Sequence, residues 1–331
     1  MSSEIKVTTP ELVVVDTDPG TDDALALYML LAADERKMVK LLAVTIVDGN
    51  TNADHGSRNA LRVLKSVDRL EIPVYKGSPG PIILEPVPKD KSRVTHAGYH
   101  GEDGFGGAKF DKEPEMGLLQ DETAVLALIK LAKEHKGKLN LLCLGPLTNV
   151  ALAMKADPEF ASNVKNVFIM GGNTAAVGNA TSTAEFNFLH DPEAAHIVLA
   201  SAQSHITLVP WETCQAHGLP YKWRTEDFGS AQTKQVELLN KIEAAVIEKS
   251  KNPTWIPCDS FITAAFIDPS IVKKLDVRHL TIELHGHRTR GQVVIDHLRE
   301  CDDNVKVAKE IDLEKFKQLM YMAVDHPHCT I

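Results

Sequence analysis

Cysteine is sparse in this chain and follows no pattern. The five residues, Cys143, Cys214, Cys258, Cys301 and Cys329, are odd in number and form no CxxC pair or zinc-type spacing. A disulfide scaffold is therefore excluded as the source of stability, and a reducing compartment is favoured. Basic clusters are also missing. The formal net charge is −9, so the chain lacks the electrostatic footprint of a nucleic-acid binder. Small neutral substrates suit it better than polyanions. No apolar run is long enough to span a bilayer. The polar start MSSEIKVTTPE has no apolar core of a secretory signal. The expectation is a cytoplasmic protein with neither a membrane nor a nucleic acid as partner. The sequon at Asn179-Ala180-Thr181 is uninformative without secretion. Repeats, low-complexity linkers and shifts of composition are absent too, so residues 1–331 read as one domain. The hydrophobic share of 44% and charged share of 24% are ordinary for a globular protein.

What is present is concentrated near the start. In Val13-Val14-Val15-Asp16-Thr17-Asp18-Pro19-Gly20-Thr21-Asp22-Asp23 a short apolar run ends abruptly in acid. The run is too short for a helix and reads as a buried parallel strand. Pro19-Gly20 signals a turn. Thr21 is a candidate N-cap for a helix over 22–33, which is rich in helix formers. The carboxylates of Asp16, Asp18, Asp22 and Asp23 thus crowd where a strand passes into a helix, the place where open α/β sheets bind ligands. Crowded carboxylates disfavour joint ionisation. A helix N-terminus offers only about half a positive charge. A divalent cation is the stronger remedy, and an all-oxygen donor set points to Ca²⁺ or Mg²⁺. The plainer alternative is a solvated acidic turn whose Asp22 and Asp23 complement the helix dipole.

The same grammar repeats along the chain. Apolar strands are predicted at 11–16, 40–47, 72–75, 139–144, 164–170 and 206–209, alternating with helices at 53–67, 121–135, 149–156 and 192–202. The alternation argues for an α/β fold: an open, mainly parallel, Rossmann-like sheet flanked by helices. The last third is more helical, with helices at 232–250, 260–267 and 313–324. Strands at 280–284 and 292–295 read as added antiparallel or edge strands around a turn at 289–291, and 305–308 as a further strand. Residues 76–120 are rich in proline and glycine and end in His100-Gly101-Glu102-Asp103-Gly104. They read as a lid or rim over the acidic site, or else as a surface loop. Polar clusters follow several strand ends: Asp18/Asp22/Asp23, Asn50, the Leu144-Gly145 peptide and Met170-Gly171-Gly172-Asn173, with Asp259 opening a late helix. In parallel strands these groups would converge along one sheet edge.

DTDPGTDDA resembles the DxDPGxDD signature of the inosine-uridine-preferring nucleoside hydrolase family. VDGNTN, HGEDG, GPLTN, MGG and GNATSTAEFN resemble further family segments in the same order. The resemblance runs from about residue 11 to residue 295. It implies Ca²⁺-dependent hydrolysis of the N-glycosidic bond of ribonucleosides, giving ribose and a free nucleobase. By that likeness Asp18, Asp23, Asp259 and the main-chain carbonyl of Leu144 ligate the metal. Asp22, Asn50, Glu185 and Asn187 hold ribose hydroxyls, and Asn179 holds the 5′-hydroxyl. Met170 packs beneath the sugar, or is simply core. Asp18 is the base that takes the proton of the attacking water. Phe186, Tyr99, Trp211 and Trp255 are candidates to stack on the nucleobase. The family's dimers and tetramers imply a homodimer or homotetramer.

One position departs from the family. Members carry His or Trp immediately before the late metal-binding Asp, whereas this chain carries Cys258. Cys258 could donate a proton to the leaving base, or be a small buried hydrophobe. His100 is then the next candidate acid. Two other readings stand beside the hydrolase. A haloacid-dehalogenase-like Mg²⁺ phosphatase would use Asp16 as nucleophile, but leaves the Asp22-Asp23 pair unexplained. A non-catalytic nucleoside or ribose binder is the third.

Overall fold

In a computed structural model, residues 9–84, 99–201, 205–250 and 253–331 are described. Residues 1–8, residues 85–98 of the expected rim segment, and residues 202–204 and 251–252 lie outside that set.

The elements alternate as the sequence suggests. They run β1 (Glu11–Thr17), α1 (Thr21–Glu35), β2 (Val39–Ile46), α2 (Ala53–Ser66), β3 (Val74–Lys76), α3 (Ala124–Glu134), β4 (Leu139–Cys143), α4 (Thr148–Ala156), α5 (Phe160–Asn163) and β5 (Val164–Met170). Next come α6 (Phe186–His190), α7 (Pro192–Leu199), β6 (Ile206–Val209), α8 (Trp211–Ala216), β7 (Leu219–Pro220), α9 (Lys234–Lys249), β8 (Thr254–Trp255) and α10 (Cys258–Ile267). The chain closes with β9 (Val272–Arg278), β10 (Leu280–Ile282), β11 (Val293–Ile295), β12 (Val305–Ile311) and α11 (Leu313–Ala323).

Eight strands form the central sheet in the order β3-β2-β1-β4-β5-β6-β12-β9. All neighbours pair in parallel except β9, which runs antiparallel to β12 at the edge. Strand order reverses between β1 and β4, so that gap is the topological switch point, where open α/β sheets take ligands. Asp18 follows β1 and Leu144 follows β4. The acidic stretch is therefore delivered to the crevice by topology.

Burial explains why β1 and β4 read as continuous apolar runs. Val13, Val14 and Val15 are fully buried, as is every residue of β4. A central parallel strand is covered on both faces, so alternation disappears. Helix α1 is enclosed in the same way. Asp23 and every residue from Ala24 to Ala33 are buried, and α1 packs on β2, α2, α9, α10 and α11. A helix that is apolar all round belongs in the interior, and its acidic first turn goes there with it.

Some expectations change. The N-cap of α1 is Gly20, not Thr21. Asp23 reaches back to accept the Gly20 N–H at 2.8 Å, which satisfies that end without a hydroxyl cap, and the Thr21 hydroxyl turns to His100 instead. Helix α6 opens between the strand expected at 164–170 and the helix expected at 192–202, where no element is predicted. β10 and β11 form their own antiparallel pair, while the edge of the main sheet is the unanticipated β9. Its sequence VKKLDVR carries four charges and is largely exposed, so it lacks the apolar run that marks the buried strands.

A buried side chain ties the sheet's C-terminal edge together. Asn149 Nδ2 donates to Asp16 Oδ1 at 2.8 Å and to the Ile46 carbonyl at 3.0 Å. Its Oδ1 accepts the Ser78 N–H at 2.8 Å. Asn149→Ala leaves these buried groups short of a partner. It should cost about 3 kcal/mol of stability, read as a lower urea midpoint with an unchanged slope. A shift equivalent to less than about 0.5 kcal/mol would show that water replaces the amide.

Candidate active site

Each carboxylate of the acidic stretch has a different environment. Asp16 is buried between Thr45 of β2 and Asn149 of α4, accepting from Thr45 Oγ1 at 2.5 Å and Asn149 Nδ2 at 2.8 Å. Burial pushes its carboxyl up to about 7. A nucleophile must face its substrate, and Asp16 instead forms part of this interstrand network.

Asp18 is fully buried. Its Oδ2 accepts the Asn50 N–H at 2.6 Å, and its Oδ1 has no hydrogen-bond partner among the described residues. Two glycines leave room for it: a Cβ at Gly49 would collide with Oδ2, and one at Gly145 with Oδ1. Asp23 accepts from the Thr17 hydroxyl, the Gly20 N–H and Asn50 Nδ2, the last at 3.1 Å. Asp22 Oδ1 is buried without a hydrogen-bond partner among the described residues, and the N–H groups of Cys258 and Asp259 at the start of α10 face the Asp22 carboxylate. Asp22, Asp23 and Asp259 each offer an oxygen within 4.8 Å of the others. Two helix N-termini, of α1 and α10, thus converge on one acidic cluster.

The cluster is charged against its preference. Burial raises Asp18 and Asp259 well above the usual carboxylate range, with neighbouring aspartates adding to it. Burial pushes Asp22 up to about 6, and burial with the Asp22 charge raises Asp23. Two unpartnered buried oxygens and a set of repelling carboxylates fit an oxygen-ligated divalent cation. The Leu144 carbonyl accepts Asn187 Nδ2 at 2.8 Å and keeps a second lone pair.

The other sequence-derived residues gather in part. Asn187 Nδ2 also donates to the Met170 carbonyl at 3.1 Å and lies 3.6 Å from the Met170 sulfur. Glu185 caps α6, accepting from Asn187 and Phe188 N–H, and takes the Gly172 N–H at 2.7 Å. Burial pushes its carboxyl up to about 7. Asn179 is exposed and accepts the Phe186 N–H at 2.8 Å. The Phe186 ring lies 5.8 Å from that of His190.

His100 is held at the mouth of the cluster. Its Nδ1 accepts the Thr21 N–H at 3.1 Å, so a neutral ring carries its proton on Nε2, which lies 3.6 Å from Asp22 Oδ1. Burial pulls its pKa down to about 4, against the opposing pull of Asp23. The segment after His100 is stapled to the site: Asn59 Nδ2 donates to the Pro19 and Asp103 carbonyls, and Thr51 Oγ1 to the Glu102 carbonyl. Tyr99 is 56% exposed, and its hydroxyl meets that of Tyr221 at 3.2 Å.

Cys258 sits at the start of α10 with its thiol 3.8 Å from the Ile256 carbonyl. The neighbouring Cys214 thiol, then burial, push it well above its ordinary value. Trp255 is buried against Trp223 and Phe228, and Trp211 packs against the core. Sequence reasoning missed Thr17, Thr45 and Asn149, whose types are common in any strand or loop. It also missed the roles of Gly49 and Gly145, although their places beside Asn50 and Leu144 are a signal of close approach.

Comparison with known proteins finds nucleoside hydrolases. A family model described as inosine-uridine preferring nucleoside hydrolase matches residues 13–318. The inosine-uridine preferring nucleoside hydrolase of Leishmania major is 31% identical over 321 residues, 96% of this chain and 98% of that protein. A probable uridine nucleosidase 2 of Oryza sativa subsp. japonica is 42% identical over 193 residues, but that match spans 58% of this chain and 54% of the rice protein. A solved inosine-guanosine nucleoside hydrolase superposes with a TM-score of 0.87 at 28% identity, covering 95% of this chain and 98% of that one. The switch-point carboxylates, the shared fold and the near full-length match together place this chain in the inosine-uridine preferring nucleoside hydrolase family, as a hydrolase.

Proposed function

We propose that this protein hydrolyses the N-glycosidic bond of ribonucleosides, with Ca²⁺ held by Asp18, Asp23, Asp259 and the Leu144 carbonyl. The observation that carries the reading is the buried acidic cluster at the switch point, with Asp18 Oδ1 and Asp22 Oδ1 lacking hydrogen-bond partners among the described residues. When bound, such an ion supplies positive charge that offsets the aspartates, makes a nearby water more acidic and offers sites for a vicinal diol.

The chain's own groups do the rest. Asp18 is the base that takes a proton from the attacking water. The water approaches C1′ from the face opposite the nucleobase, as in inverting glycosidases. The carboxylates around the sugar stabilise the developing oxocarbenium charge electrostatically. Asp22, Asn50, Glu185 and Asn187 hold the ribose hydroxyls, and Asn179 the 5′-hydroxyl. Met170 forms the floor beneath the sugar, and Phe186 flanks the substrate. The residues after His100 form the rim.

For the leaving base, His100 is the better candidate. Its neutral ring points Nε2–H at the cluster, where it can hydrogen-bond the departing base, whereas the Cys258 thiol has its acidity suppressed by Cys214 and burial. Cys258 then acts as a small packed side chain.

Three outcomes follow. Chelator should abolish reducing-sugar release from ribonucleosides, and Asp18→Ala should lower kcat by roughly 10²–10⁴-fold. Release unaffected by either would refute the site. A 2′-deoxyribonucleoside should react far more slowly than its ribo counterpart, because it lacks the diol, and equal rates would remove the diol from the argument. Finally, Cys258→Ala should change kcat by less than about threefold, while His100→Ala lowers it about a hundredfold; the reverse order would make the thiol the acid.

A further inference from the structure

A second cluster of ligand-bearing side chains lies away from the acidic site. After α11 the chain folds His326-Pro327-His328 back onto the turn at 223–230, which opens with one π-helical turn, Trp223–Asp227. His326 Nε2 is 3.1 Å from the Asp227 carbonyl. His328 Nδ1 is 3.7 Å from Asp227 Oδ1. Asp227, His326 and His328 each offer one ligand atom within 4.8 Å of the others.

The surroundings hold these groups in place. The His326 ring is buried, stacks on Tyr321 at 4.3 Å and lies parallel to Phe228 at 6.2 Å. Asp227 Oδ1 accepts the Tyr321 hydroxyl at 2.5 Å, and that hydroxyl takes the Trp223 indole N–H at 3.2 Å. The His328 side chain is 63% exposed, which opens a path for an ion from solvent. Conserving ring orientation through an outer hydrogen bond is what metal-ligating histidines need.

We propose that Asp227, His326 and His328 form a structural transition-metal site that takes Zn²⁺ and pins the C-terminal segment to the 223–230 turn. Two imidazole nitrogens and one carboxylate oxygen are a borderline donor set, suited to Zn²⁺ in tetrahedral geometry with water as fourth ligand. The acidic cluster is all oxygen and suits hard cations, so the two sites differ in chemistry as well as place. Both nitrogens of His326 are engaged: Nδ1 accepts the His328 N–H at 3.1 Å, and Nε2 faces the Asp227 carbonyl. Coordination replaces one of these bonds and leaves the other to orient the ring. The ion takes no part in the hydrolysis, and the proposal stands independently of the substrate.

The test uses the full chain freed of metal, with Zn²⁺ and Co²⁺ as probes. Because acidic groups and exposed thiols can also take Zn²⁺, the comparison is between wild type, His328→Ala and His326→Gln. His328 is exposed, so its variant keeps the fold even if that of His326 does not. Wild type should bind one Zn²⁺ that His328→Ala binds at least about tenfold more weakly, and its thermal midpoint should rise with Zn²⁺ while the variant's does not. Bound Co²⁺ should show the strong visible bands of a tetrahedral site, lost in His328→Ala. Equal Zn²⁺ stoichiometry and affinity in wild type and His328→Ala would overturn the proposal, as would a Co²⁺ spectrum unchanged by the substitution.

Discussion

Mutual repulsion among buried carboxylates is the constraint on which the centre of this protein depends. Asp22, Asp23 and Asp259 offer oxygens within 4.8 Å of one another, and Asp18 is close enough to feel Asp23. At an effective dielectric of about 20, each ionised pair at that separation repels by roughly 3 kcal/mol. The N-termini of α1 and α10 return roughly 1–2 kcal/mol each. Burial first, with repulsion added at Asp18, Asp23 and Asp259, holds all four carboxyls above the usual carboxylate range when no cation is counted. An oxygen-ligated divalent cation is the natural counter-charge for such a cluster.

The rest of the architecture reads as support for that cluster. The apolar β1 and β4 bring Asp18 and Leu144 to the switch point. The interior helix α1 carries Asp22 and Asp23 into a dry setting that a surface helix could not provide. Gly49 and Gly145 make room for the Asp18 carboxylate, and Asn50 serves both Asp18 and Asp23. Around this, Asn149, Asp16 and Thr45 lock the ends of β1 and β2 against α4. These buried polar groups bond one another through Asp16 Oδ1, which fixes geometry at the cost of leaving little tolerance for substitution.

The departure at Cys258 is confined to one wall. The Cys258 and Cys214 thiols lie together between α8 and α10, a packing contact beside the acidic cluster. His100 reaches the cluster from a different segment, held by Thr21 at the start of α1.

Much of this was legible in order along the chain. Apolar runs ending in polar turns marked the parallel strands, and Asp18-Pro19-Gly20 with Asp22-Asp23 marked the site, because buried strands and crowded charges leave strong local signatures. The edge strand β9 and the Gly20 cap were not legible, since a charged edge strand has no apolar run and a cap depends on which side chain arrives. The cradle of Gly49 and Gly145, the Asn149 network, the tautomer of His100 and the meeting of Asp227 with His326 and His328 join residues far apart in sequence. Local pattern determines which residues sit at a strand's end; only the packed fold decides which strand ends become neighbours, and hence which charges, thiols and imidazoles must share one space.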